Sequence, residues 1–368
     1  MPTEKKPLKI AVIGCGINGI SCAISLAERG HKIDIYEKKT AFSETSAKSS
    51  KLLHGGLRYL ENGHFKLVKE SLKERSNWVK KLPDLTKIQR FYMPIYKGHS
   101  RNKFLLFTGV KLYELLAENF SLGKSNMHSK KETLEANPLL KQEGLIGSVS
   151  YVDVQMDDYK IAEWLKNKAL NKGVHLKENN EVVSFCENGS LTTRGSETLN
   201  YDFIVNAAGP WAKELLKTNN IQSNFNMSLV RGSHLILDFK IQSPLVLQST
   251  KDKRIVFMLP LDNGCLLGTT EYSHNIKDPI VCTQIERDYL VDIANTYLEK
   301  TLTEKNIISD YAGVRPLVFD SNTMDVSKIN RDSAIELNES LINIFGGKWT
   351  SGPSLGEKVS DMIESKSK

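Results

Sequence analysis

Gly14, Gly16 and Gly19 stand at GxGxxG spacing directly after a short β-branched apolar run, residues 8–13. Beyond the glycines, Ile20, Ala23, Ile24 and Ala27 recur at helical spacing, so the order is strand, glycine turn, helix. Such a turn lets backbone amides approach a pyrophosphate closely and aims the positive end of a helix at it. Residues 32–37 alternate Ile33 and Ile35 with polar residues and end on Glu37, an acid about twenty residues past the turn, placed to accept from a ribose hydroxyl. Gly14, Gly16, Asn18, Gly19 and Glu37 are therefore candidate dinucleotide-binding residues, and the fold class is α/β with a parallel, Rossmann-like sheet. The spacing by itself leaves NAD and FAD both open.

At 368 residues the chain exceeds what one hydrophobic core usually serves, which predicts two interleaved domains. With 40% hydrophobic and 25% charged residues the composition is that of a globular protein, and no stretch reaches the roughly 20 apolar residues of a membrane span. The start, Met-Pro-Thr-Glu-Lys-Lys-Pro, and the short apolar run after it do not form a secretory signal, so a cytoplasmic protein is expected. Cys15, Cys22, Cys186, Cys265 and Cys282 are widely spread and lack metal-ligand spacing, which predicts reduced structural thiols and no metal. The formal charge of +7 is uneven: residues 64–113 hold twelve Lys/Arg against Glu70, Glu74 and Asp84, an excess of +9. That block suits a solvated helical face or an anionic lipid surface, and no nucleic-acid motif accompanies it.

Periodicity predicts helices over 64–82, 104–119 and 157–171, strands over 89–97 and 144–153, and short strands within 174–194. Residues 201–211 read as a strand turning at Gly209-Pro210 into a helix. Runs at 228–239, 244–248, 254–261 and 265–270 predict an antiparallel sheet in a second domain. Residues 341–345 form a buried strand, and Gly346-Gly347-Lys348-Trp349-Thr350 leads into a terminal helix. The expected division is 1–63, 145–225 and 308–368 for the cofactor domain, with 64–144 and 226–307 for the substrate domain.

The segment Thr45-Ser-Ala-Lys-Ser-Ser-Lys-Leu-Leu-His-Gly-Gly-Leu-Arg-Tyr-Leu-Glu61 closely resembles that of FAD-dependent glycerol-3-phosphate dehydrogenases, within the D-amino-acid-oxidase-like flavoproteins. Further matches follow in the same order: Gln155 to Asp158, Val205 to Trp211, Arg231-Gly-Ser-His234, Asp252 to Phe257, Gly268-Thr-Thr270, Gly313-Val-Arg-Pro316, Arg331-Asp332 and Phe345-Gly-Gly-Lys348. The resemblance covers nearly the whole chain.

The resemblance implies non-covalent FAD, since no attachment cysteine lies near the C-terminal glycines. It places Ser49, Ser50 and Lys51 against the diphosphate, Ala208 and Gly209 beside the cofactor with Val183, and Gly346, Gly347, Lys348 and Thr350 along the flavin and ribityl chain. Arg58, Arg315, Arg331 and Lys348, with Tyr59 and His234, would hold a small anionic substrate, because a phosphate leaves water only for several charge-assisted partners. His54 and His234 are the candidate proton acceptors, with Arg315 polarising the substrate oxygen. The implied reaction is oxidation of a small phosphorylated alcohol, foremost sn-glycerol 3-phosphate, by hydride transfer to flavin N5. A 2-hydroxy acid dehydrogenase or oxidase is the alternative; an amine oxidase or a non-catalytic dinucleotide-binding protein stands behind it. The acceptor implied is a quinone at an anionic membrane surface.

Two features depart from the family pattern. The chain is expected to be a short form without the further C-terminal helical domain, and Trp349 replaces a smaller residue expected beside the flavin.

Overall fold

The computed structural model describes residues 6–61, 63–98, 102–195, 198–320 and 333–367. Its first layer is a six-stranded sheet ordered Ala334–Asn338, Leu341–Phe345, Phe203–Asn206, Lys9–Ile13, Lys32–Tyr36, His175–Lys177. All pairings are parallel except the edge pair Ala334–Asn338 with Leu341–Phe345. The Phe203–Asn206 and Leu341–Phe345 strands are buried at every residue, as parallel strands covered on both faces must be. Helices Ile17–Glu28, Asp158–Asn171 and Gly352–Lys366 pack with these strands into one core around Ile10, Val12, Ile20, Leu165 and Val359. Gly356 permits the tightest of those contacts: a Cβ there would sit 2.5 Å from Ser21 O, so the terminal helix rests on bare backbone.

The second layer is a ten-stranded sheet, antiparallel but for the pair Leu245–Gln248 with Thr86–Tyr96. Its longest ladder joins Phe225–Leu237 to Ile307–Asp320. The four runs expected between 228 and 270 are the strands Phe225–Leu237, Leu245–Gln248, Ile255–Leu261 and Gly264–Gly268. Helices Phe65–Lys81 and Lys103–Leu116 cover one face with Val68, Leu72, Val110 and Tyr113, while Gln284–Tyr297 covers the other.

The sheets divide the chain differently from the expected division at three boundaries. Strands Leu52–Leu53, Leu145–Met156 and Ile307–Asp320 belong to the larger sheet, not to the parallel one. Periodicity does not reveal which sheet a strand joins; pairing decides it. One member of the basic block also leaves the surface: Arg75 is 2% exposed and paired with Asp153 at 3.0 Å. Cys15, Cys22, Cys265 and Cys282 are buried free thiols, and Cys186 is an exposed one. No helix among the described residues is long and apolar enough to cross a membrane, and no metal-binding group of side chains is found among them.

Candidate active site

The cofactor cradle forms where the parallel sheet changes direction. Phe203–Asn206 and Lys32–Tyr36 flank Lys9–Ile13 on opposite sides, so a crevice opens beyond its carboxyl end. Gly14 turns there with φ +95°, and a Cβ on it would meet Ala207 O at 2.7 Å. A Cβ on Gly19 would lie 2.0 Å from Gly14 O, so only glycine lets the helix start so close to the strand. Glu37 braces the turn by accepting from Cys15 N–H at 2.8 Å and Lys39 N–H at 2.9 Å. Each carboxylate oxygen keeps a lone pair for a ribose hydroxyl.

A cleft of about 280 Å3 runs from Glu37 past Gly14 and Gly16 to Ala208 and Gly209. Its valine is Val182; Val183, one residue on along the strand, is 42% exposed and does not line the cleft. Thr45 and Ser46, to which the sequence reading gave no role, line it as well. Ser46 Oγ accepts from Ile17 N–H at 3.0 Å.

Ser49, Ser50 and Lys51 sit elsewhere. Ser49 donates to Asp158 at 2.7 Å, Lys51 pairs with the same carboxylate, and Ser50 Oγ lies 2.8 Å from His234 Nε2. Their side chains are thus held by protein partners.

Gly346 and Gly347 take positive φ of +76° and +97° in succession. Asn18 Nδ2 donates to Gly346 O at 2.9 Å, and a Cβ at Gly347 would strike that amide at 2.4 Å. Asn18 Oδ1 is buried and has no hydrogen-bond partner among the described residues. Trp78 Nε1 donates to Thr350 O at 3.0 Å. Trp349 turns into the core instead of standing over the flavin position: it stacks on Phe42 at 5.7 Å and donates to Ser46 O at 2.8 Å.

The second group of residues is assembled by the long antiparallel ladder. Its register sets His234 opposite Tyr311, Gly232 opposite Gly313 and Val230 opposite Arg315. Directly opposed residues share a face, so His234 stacks on Tyr311 at 4.8 Å, and Arg315 projects from the same side. The facing glycines leave a gap: a Cβ on Gly232 would meet Arg315 Nη2 at 2.5 Å. Arg315 donates to Thr269 Oγ1 at 2.7 Å, with Glu271 at 3.7 Å. Arg231 and Ser233 alternate to the other face, where both bind buried Glu286.

Lys348 carries its Nζ 4.3 Å from the Tyr59 ring centroid, shut off from solvent and without a hydrogen-bond partner among the described residues. Burial, then Lys348, Arg315 and Arg75, pull the half-buried His54 down from 6.5 to about 4. Burial, then Arg315 and Lys51, pull His234 down to about 3. Both imidazoles are neutral near pH 7 and sit in a positive potential. His54, Tyr59, His234, Arg315 and Lys348 are thus brought into one region. Arg58 lies in the short Arg58–Glu61 helix, with its side chain outside the described set, and Arg331 lies outside the described residues. Tyr311 and Thr269, which orient His234 and Arg315, escaped the sequence reading although Thr269 lies in a matched motif.

Residues 9–362 match the family model for FAD-dependent oxidoreductases, designated DAO. The chain belongs to this family. The aerobic glycerol-3-phosphate dehydrogenase of Staphylococcus haemolyticus is 31% identical over 98% of this chain and 67% of its own length, and that of Staphylococcus aureus is 32% identical. Among solved structures, the glycerol-3-phosphate dehydrogenase of Bacillus halodurans, complexed with FAD, is 25% identical with a TM-score of 0.77. This chain is covered to 98% and spans 65% of that one. The FAD-bound L-α-glycerophosphate oxidase of Mycoplasma pneumoniae is 19% identical with a TM-score of 0.79, a likeness of fold, over 98% of this chain and 95% of that one. The protein is an FAD-dependent oxidoreductase of mixed α/β fold. The bare glycine turn, Glu37 and the unpartnered Asn18 Oδ1 fit that cofactor.

The depression of His234 carries a stability consequence. A His whose folded pKa lies below its unfolded 6.5 contributes stability that is fully present above about 6.5 and lost as pH falls towards about 3. Between pH 7 and pH 5 the loss from His234 amounts to about 2 kcal/mol, as one pKa unit is 1.36 kcal/mol. Urea midpoints at the two pH values should therefore converge in His234→Asn relative to wild type. Equal pH dependence in the two proteins would refute the assignment.

Proposed function

We propose that the chain oxidises the secondary alcohol of a small anionic substrate, with sn-glycerol 3-phosphate first and a related polyol or sugar phosphate next. The observation that carries this reading is Lys348: a buried ammonium with no hydrogen-bond partner among the described residues is costly unless an anion completes the site. Arg315 adds a second cation, and the glycerol-3-phosphate dehydrogenases of the staphylococci support the choice of phosphate.

FAD, when bound, supplies a hydride acceptor at N5. The chain's own residues then have three tasks. Lys348 and Arg315 draw the anion out of water. Tyr59 closes beneath the lysine and limits its approach. His54 or His234, neutral and carrying a free lone pair, receives the hydroxyl proton. Burial depresses both imidazoles most, and Arg315, with Lys348 at His54, adds to it; a dianionic substrate that neutralised these two cations would raise the proton affinity of its own base. A carboxylate satisfies the same cations, which keeps a 2-hydroxy acid as the second reading.

The acceptor we propose is a quinone, reached from an anionic membrane surface. On the Lys103–Leu116 helix Phe104, Leu105 and Leu115 are 72%, 65% and 72% exposed, while Val110 and Tyr113 point into the core. Beneath that helix an apolar cleft of about 310 Å3 is lined by residues such as Leu60, Met93, Leu106 and Ile255. Exposed apolar residues beside a basic surface are the elements of peripheral lipid binding.

Anaerobic addition of glycerol 3-phosphate should bleach the flavin, with hydroxy acids as the comparison panel; bleaching by a hydroxy acid alone would transfer the proposal to the second reading. Lys348→Ala should weaken substrate binding by about 2–5 kcal/mol, the cost of breaking a buried charge pair, and Arg315→Ala by less, since Arg315 is part exposed and beside Glu271, with FAD content kept in Arg315→Ala. Near-normal steady-state constants in both variants would place the anion site elsewhere.

Acid precipitation should release the yellow colour, since we propose that the FAD is not covalently held. Colour retained by the pellet is the contrary result.

The protein should float with anionic vesicles at low salt and be released at high salt, because exposed charge is screened beyond about 10 Å at 0.1 M. Failure to float at low salt would remove the membrane from the proposal.

A further inference from the structure

The loop that carries His54 leads directly into Tyr59, and the backbone of Gly55 bonds it to the helical cover. Gly55 N–H donates to Tyr113 Oη at 2.7 Å, across 58 residues of sequence. An amide nitrogen can only donate, so the tyrosine oxygen must accept there and its own proton must point elsewhere. It points to Asp153 Oδ2 at 2.8 Å. The other oxygen of that carboxylate takes Arg75 Nη1 at 3.0 Å, and the same guanidinium donates to Val152 O and Phe120 O. Tyr113, Asp153 and Arg75 are each 2% exposed. The direction of every hydrogen bond in the chain is thereby fixed from one end by a backbone amide and from the other by a guanidinium.

The surroundings leave the loop no second position. A Cβ at Gly55 would meet Leu72 and the Tyr113 hydroxyl at 2.6 Å, and one at Gly56, where φ is +79°, would meet the Tyr59 ring at 2.2 Å. The two glycines let the backbone lie against Tyr113 on one side and Tyr59 on the other. Tyr59 in turn is the ring under the Lys348 ammonium. Burial raises the Tyr113 phenol well above its ordinary range, so it keeps the proton it gives to Asp153.

We infer that Tyr113 is a positioning residue for the active site: through Gly55 it fixes the loop that presents His54 and the Tyr59 platform for Lys348. This rests on the functional reading above in one respect, that His54 and Lys348 face the substrate.

The test compares Tyr113→Phe with Tyr96→Phe in the FAD-loaded protein. Tyr96 is an equally buried tyrosine whose hydroxyl donates to Lys141 O at 2.8 Å, remote in sequence and packing from the 54–59 loop. Tyr113→Phe should lower the limiting rate of anaerobic flavin reduction at least tenfold and weaken inorganic sulfate, read from the flavin visible spectrum, at least fivefold. FAD content should be kept. Tyr96→Phe should lower the melting temperature alone. Wild-type rate and sulfate affinity in Tyr113→Phe, or equal impairment in both variants, would overturn the inference. If no phosphate or hydroxy acid reduces the wild-type flavin, the functional reading fails and the sulfate comparison decides the role of Tyr113 by itself. If Tyr113→Phe does not accumulate as holoprotein, hydrogen exchange at the Gly55 amide of the wild type decides: protection close to that of the core strands supports the inference, and exchange as fast as in exposed loops overturns it.

Discussion

Three strands distant in sequence lie side by side, and the rest of the site depends on their pairing. Lys9–Ile13 pairs with Phe203–Asn206, which pairs with Leu341–Phe345, all in parallel. Each strand ends at the same edge of the sheet and spills its next residues into one crevice. Gly14, Ala208 and Gly346 are neighbours for that reason, and the Asn18 to Gly346 hydrogen bond locks the first helix to the last turn. All three strands are buried almost throughout, so a one-residue slip would expose no polar face to resist it. Register rests instead on polar pairs such as Asn206 Nδ2 to Asn343 Oδ1 at 3.1 Å, both residues fully buried.

The second sheet brings a cation to the same region, where Lys348 also arrives from the end of the parallel sheet. Arg315 is steadied by Thr269 and by the gap between facing glycines, and Lys348 by the Tyr59 ring. An aromatic face attracts the ammonium without neutralising it, so its charge remains available. Arg75 shows the contrasting case: its charge is matched within the fold by Asp153 and two carbonyls, and it serves architecture. Lys348 differs: among the described residues its ammonium has an aromatic face but no hydrogen-bond partner.

Much of this was legible in the sequence. The glycine turn with Glu37, the helix at 65–81, the strands between 225 and 268 and the final glycine pair all carry local signals, because periodicity and turn chemistry are properties of neighbouring residues. Motif likeness supplied His54, His234, Arg315 and Lys348. What remained hidden depends on which strand lies beside which. Tyr311 has no local mark; it matters because the ladder sets it against His234. Arg75 reads as one more basic residue in a charged stretch until Asp153 is found opposite it. Val183 was placed in the cradle where Val182 stands, an alternation error of one residue that turns a strand side chain to the opposite face. The resemblance set Ser49 and Lys51 toward a diphosphate, and that both bind Asp158 is visible only in the fold.

The cradle also dates itself within the life of the molecule. Its opening turn and its closing glycines are 328 residues apart along the chain, joined through Asn18 and Gly346. A polypeptide emerging from the ribosome exposes the glycine turn at the start of synthesis but cannot complete the cradle until the Gly346–Gly347 segment has emerged. A closed cradle thus forms only once that segment has been made, and a chain interrupted before it lacks the closing glycines.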